Sequence, residues 1–206
     1  MGKIAFVFPG QGAQVVGMGQ NVYENSAVAK DVFEQASKAV DLDLKALCFE
    51  ENNDINITEF TQVCLLTTSV AIMEELKTRG VKADVAAGLS LGEYCALVAA
   101  GSMNFVDAAK AVRKRGIFMQ EEVPAGKGTM AAILGMDAAE IDKNIEEFDK
   151  VQVANYNCPG QIVISGETEQ VKQAADKLKE AGAKRAVLLN VSGPFHSSLL
   201  TGAGEK

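Results

Sequence analysis

Short apolar runs that close on glycine-containing turns alternate with helical periodicity through the first 125 residues, and the order changes to β-α-β-β-α-β after Gly126. The first pattern predicts an α/β protein with a parallel sheet covered by helices. The second is the order of a ferredoxin-like unit, small enough to be inserted into or appended to the larger part. A chain of 206 residues, 48% of them apolar, can bury about 70% of its unfolded surface.

Each element has its own signal. Residues 3–8 form an apolar run ending in Pro9-Gly10, which reads as a buried strand opening into a loop. A helix is expected over 26–40, then a polar loop over 50–56 rich in Asn and Asp. The next helix spans 59–79 and is closed by Gly80. Residues 84–88 form a strand and 91–100 a helix ended by Gly101. Asn104 and Asp107 supply an N-cap and an acidic first turn for a helix running to about 122, before Pro124. In the second part, strands are expected over 129–134, 151–155, 161–165 and 184–191. Helices are expected over 138–148 and from about 171, where Val171, Ala174, Ala175, Leu178 and Ala181 share a face. The expected division is 126–191 for the small subdomain and 1–125 with 192–206 for the large one.

Composition removes several classes of function. Twenty basic against 27 acidic residues give a net charge of −7, the wrong balance for a nucleic-acid binder. One histidine rules out a multi-histidine metal site. Cys48, Cys64, Cys95 and Cys158 are scattered without a C-x-x-C pair, so neither zinc nor a redox motif is indicated and no metal or cofactor is expected. The apolar run before Pro9 is too short for a signal peptide, and the longest apolar stretch, 60–73, is broken by Thr67, Thr68 and Ser69. A soluble, cytoplasmic monomer is the expectation.

Gly88-Leu89-Ser90-Leu91-Gly92 fits the G-x-S-x-G nucleophile elbow, with a strand before it and a helix after it. Nineteen glycines in 206 residues and nine serines give about 0.08 chance matches before that context is required. The Leu91 N–H at the helix start can donate to a developing oxyanion. A serine nucleophile needs a base, and composition leaves one imidazole, His196, in Gly193-Pro194-Phe195-His196-Ser197-Ser198. A loop histidine bonded to backbone or water is the competing account. Arg115 lies about 60° from the centre of an apolar helix face. It either snorkels or pairs with a glutamate, or it captures a substrate carboxylate in bidentate fashion. The loop Pro9-Gly10-Gln11-Gly12-Ala13-Gln14 matches no nucleotide fingerprint. It is either a plain tight turn or an oxyanion cradle with Gln11 as the second donor.

Together FPGQGAQ, GLSLGEY, KRGIFMQE placed 25 residues after Ser90, NYNCPGQIVISG and GPFHS resemble malonyl-CoA:acyl carrier protein transacylases, in order from one end of the chain to the other. The resemblance implies an α/β-hydrolase-like large subdomain with a ferredoxin-like small one. It implies a Ser90–His196 dyad, oxyanion donors at the Gln11 and Leu91 backbones, Arg115 as the malonyl-carboxylate ligand, and Asn157 near the active site. Leu89 stands where the family usually has histidine, a position that is not its general base. The family pattern also continues past residue 206, with a glutamine carbonyl that orients the histidine. The implied reaction is ping-pong malonyl transfer from malonyl-CoA to the pantetheine thiol of acyl carrier protein in fatty-acid synthesis. An esterase or thioesterase on the same elbow, or a non-catalytic carrier-docking fragment, are the alternatives. An acidic carrier needs a local basic patch, for which Lys184 with Arg185, or Arg113 with Lys114, are the candidates.

Overall fold

The computed structural model describes residues 2–124, 126–189, 191 and 193–206. Ala125, Asn190 and Ser192 lie outside them. These include the ends of the expected subdomain boundaries and part of the expected last strand. The chain divides into two compact units, Met1–Ile117 and Phe118–Lys206.

In the first unit, β1 (Ala5–Phe8) pairs in parallel with β2 (Val85–Gly88), in a register that sets Phe8 opposite Gly88. Around this pair lie α1 (Gln20–Asn25), α2 (Ala27–Val40), α3 (Leu44–Phe49), α4 (Thr58–Thr78), α5 (Gly92–Ala99) and α6 (Phe105–Glu122), whose last residues pass into the second unit. Helix α2 forms because Ser26 caps it, its hydroxyl accepting from the Ala29 N–H at 3.1 Å. Its buried Ala29, Val32, Phe33 and Ala36 recur at helical spacing and face α4. Helix α4 is buried on most sides, from Thr58 and Thr61 through Leu66 to Met73. Tyr23, Phe33 and Phe49 meet with ring centroids 5.2 to 5.5 Å apart, closing α1, α2 and α3 around one aromatic cluster.

The second unit holds β3 (Gly128–Leu134), α7 (Ala138–Ile145), β4 (Val151–Cys158), β5 (Gln161–Glu167), α8 (Thr168–Glu180) and β6 (Arg185–Leu188). The strands form an antiparallel sheet in the order β4-β5-β3-β6. That is the expected ferredoxin-like order, with the first and third strands central. Strand alternation sorts its faces. Ala131, Ile133, Ile162 and Ile164 pack on Ile141, Ile145, Val171 and Leu178 of the two helices. Met130 and Val163 point the other way, to Met119 and Phe195. The α/β class with one parallel and one antiparallel sheet is therefore as read from the sequence.

Some elements differ from the expectation. Short α1 and α3 were not expected, and a 3-10 turn at Asp54–Asn56 interrupts the loop over 50–56. Helix α7 ends at Ile145 rather than 148, and β4 runs three residues further, to Cys158. A 3-10 turn at Ser198–Leu200 and the short helix α9 (Thr201–Glu205) follow His196. No helix among the described residues is long and apolar enough to cross a membrane.

Candidate active site

The loop between β2 and α5 is built around Ser90. Its φ of 51° is left-handed, an arrangement that costs a non-glycine residue about 1 kcal/mol or more and persists where the surroundings enforce it. Two glycines enforce it here. A Cβ on Gly88 would run into the Gly92 backbone, and one on Gly92 into the carbonyls of Phe8 and Pro9. The turn is tied by bonds from Gly92 N–H to Leu89 O at 2.8 Å and from Glu93 N–H to Ser90 O at 3.1 Å. Leu89 donates its N–H to Phe8 O at 3.1 Å and leaves its side chain 52% exposed. This residue contributes backbone to the turn and no polar group. Leu91 is buried at the N-terminus of α5, where its N–H faces no backbone carbonyl partner among the described residues.

The loop after β1 is held against the start of α4. Gln11 Nε2 donates to Thr58 Oγ1 at 3.1 Å, Gln14 Nε2 to Asn56 Oδ1 at 3.1 Å, and the Gly12 N–H to Gln14 Oε1 at 2.7 Å. Gly10 lies so close that a Cβ there would come within 2.8 Å of Leu89 O. The Gln11 loop and the Ser90 turn are thus neighbours, as the oxyanion-cradle reading needs.

Arg115 reaches the same turn from α6. Its Nη2 donates to Ser90 Oγ at 3.1 Å and its Nη1 to Gln62 Oε1 at 2.7 Å, while its guanidinium carbon lies 5.8 Å from the Tyr94 ring centre. Among the described residues no carboxylate forms an ion pair with it, so the glutamate-pairing account does not apply. Burial lowers its pKa from the usual guanidinium value, against the opposing pull of Tyr94 and Glu93, and it stays protonated at any working pH. Gly116 permits the approach. A Cβ there would come 2.7 Å from Glu59 Cα and 2.9 Å from Thr58 O, so α6 meets α4 nearly backbone to backbone.

The remaining candidates belong to the second unit. His196 has a left-handed φ of 56° and an exposed side chain, in a turn where Ser197 Oγ donates to Pro194 O at 2.7 Å. Asn157 lies in an irregular stretch of β4, where the register steps from Tyr156 to Cys158, and its Nδ2 donates to Gln161 Oε1 at 3.3 Å. Bulges of this kind re-aim side chains at sheet edges. The structure therefore joins Ser90, Leu91, Gln11 and Arg115 within the first unit, and sets His196 and Asn157 on the second.

Sequence reasoning missed Gln62 and Tyr94. Gln62 is 1% exposed on a helix so thoroughly buried that no polar stripe sets it apart. A buried carboxamide must find a partner, and that requirement is the one signal it carried. Among the described residues no group of His, Cys, Asp or Glu is placed to hold a metal ion. Cys48, Cys64 and Cys95 are buried and Cys158 is exposed. Desolvation pushes the Cys95 thiol up to about 11, and the neighbouring Cys48 raises that of Cys64.

A parallel strand pair, a serine elbow and an arginine aimed at the serine define an acyl-transferring class of protein, and a family profile of the acyl transferase domain matches residues 5–206. The chain belongs to that family, among the malonyl-CoA:acyl carrier protein transacylases. It is 54% identical to the malonyl CoA-acyl carrier protein transacylase of Bacillus subtilis over 100% of this chain and 67% of that protein. The crystal structure of the transacylase of that name from Clostridium perfringens superposes with a TM-score of 0.93 at 47% identity, covering 99% of this chain and 66% of that one. A malonyl-transacylase solved in complex with its type II polyketide acyl-carrier protein superposes at 0.94, with 42% identity over 99% of this chain and 68% of that one. The chain spans about two thirds of the length of the curated relatives it matches. Neither an esterase nor a non-catalytic docking fragment is favoured by this company.

Proposed function

We propose that the protein moves a malonyl group from CoA to the pantetheine thiol of an acyl carrier protein, through an ester on Ser90. The observation that carries the reading is the half-buried Arg115 guanidinium 3.1 Å from Ser90 Oγ. A fixed cation beside a nucleophile selects an acyl group that ends in a free carboxylate. His196 takes the Ser90 proton as Oγ attacks the thioester carbon, and the oxyanion is held by the Gln11 and Leu91 N–H groups. The C–S bond breaks and the CoA sulfur leaves with the proton from His196. The carrier thiol then gives its proton to His196, attacks the Ser90 ester and regenerates the hydroxyl. Asn157 is assigned a place beside the reacting acyl group on the family resemblance.

Docking of an acidic carrier falls to exposed basic residues. Arg113 is removed from that role by its 2.7 Å ion pair with Glu59 and its position 4.9 Å over the Phe60 ring. Lys184 and Arg185, exposed at the start of β6, remain, with Lys114 on α6. The protein works as a monomer in the cytoplasm on this reading. The test is intact-mass analysis after mixing with malonyl-CoA, then with holo carrier protein. A malonyl adduct that requires Ser90 and disappears on carrier addition is expected. Absence of the adduct would sink the proposal.

A further inference from the structure

Arg113 and Arg115 of α6 both bond to α4, at Glu59 and Gln62 about one helical turn apart on that helix, and these partners differ in charge. Arg113 donates through Nη1 to the Glu59 carboxylate at 2.7 Å and to the Glu59 carbonyl at 2.9 Å, so its charge is neutralised in place. Arg115 is held just as closely, at 2.7 Å, but by the neutral carboxamide oxygen of Gln62. Gln62 is the more deeply buried of the two α4 residues, and its Oε1 fixes Nη1 while Nη2 reaches Ser90 Oγ. A carboxylate at position 62 would make the same bond with better Coulomb energy. The amide instead fixes the guanidinium without cancelling it.

We infer that Gln62 is a positioning residue that sets acyl selectivity, holding Arg115 at the nucleophile with its positive charge left available to the incoming carboxylate. The inference rests on the reading of Arg115 as the carboxylate ligand, and it adds a cause for the strength of that ligand. An anionic partner at 62 would compete with the substrate for the guanidinium. An apolar residue of similar volume would let the long side chain sample other rotamers and leave a buried charge poorly satisfied. In either case the uncharged acyl group, which has no use for the guanidinium, is affected least.

The test compares Gln62→Glu, Gln62→Met and Arg115→Ala, with malonyl-CoA and acetyl-CoA as donors and thermal unfolding as a check on folding. Gln62→Glu keeps shape and hydrogen bond. It is expected to lower kcat/KM for malonyl-CoA at least about tenfold, mainly through KM, and to change acetyl-CoA by less than about threefold. Gln62→Met is expected to lower the malonyl-to-acetyl ratio in the same direction. A Gln62→Glu variant with the parent ratio, or with equal losses on both donors, overturns the inference. Arg115→Ala separates the two levels: if it leaves the ratio intact, the carboxylate-ligand reading itself fails, whatever the Gln62 variants do.

Discussion

The two units place candidate chemistry on opposite kinds of backbone. In the first, strain and polarity are enclosed: Ser90 is forced left-handed by glycines that touch other backbone, and Arg115, Gln62 and Thr58 are bonded within a helical packing. In the second, a regular antiparallel sheet supplies the stability and the candidates sit at its irregular margins, His196 in a turn and Asn157 at a step in the β4 register. The sheets differ in the same sense. Strand β3 is paired on both sides and its alternate residues enter two cores, whereas Val7 of β1 is 75% exposed. Helices supply most of the packing around the reactive turn, and the close approaches that hold it are built from glycine.

The comparison predicts that the first unit fails first in function and the second first in stability. The largest effect is expected from Ser90→Ala, which leaves the backbone able to fold and should lower transfer at least about 10³-fold, with no acyl adduct by mass. Next is Leu178→Ala in α8. That fully buried side chain should cost about 3 kcal/mol of unfolding free energy in a denaturant titration, and an intact transition midpoint would show that the second core is not as closed as described. Gly116→Ala should cost about 2 kcal/mol by forcing α6 off α4, and should also raise KM for malonyl-CoA because Arg115 moves with it. A stability loss without a KM change would uncouple that packing from the site.

The smallest effect is one of pH. The Cys95 thiol is raised from an ordinary 9.0 to about 11 by burial, so the fold favours its neutral form. That contribution is complete below pH 9.0 and is lost as pH climbs through 11. Urea midpoints taken across this window should fall more steeply in the parent than in Cys95→Ala. Parallel slopes would place the titrating group elsewhere.

Much of this arrangement was legible in the sequence, for identifiable reasons. The β2–elbow–α5 passage is readable because glycine, serine and glycine must alternate there. The ferredoxin-like order follows from amphipathic α7 and α8 between apolar strands. Helix α3 was not readable, because it is only six residues long and depends on the Asp43 side chain accepting from the Lys45 and Ala46 N–H groups. Arg115 announced itself by its angle to an apolar face. Gln62 did not, because α4 buries threonine, glutamine and leucine alike and has no polar face to break. A partner held by tertiary packing leaves no trace in periodicity.

The crowding around Gly88 and Gly92 also bears on how this turn can vary among descendants. Positions 88 and 92 admit no side chain, because what a Cβ would strike is main chain that cannot swing aside. Position 89 is different, since its side chain projects outward and only its amide and carbonyl are engaged. Within the turn, position 89 can exchange its side chain without striking main chain. Leucine at position 89 therefore leaves the geometry of the Ser90 turn intact.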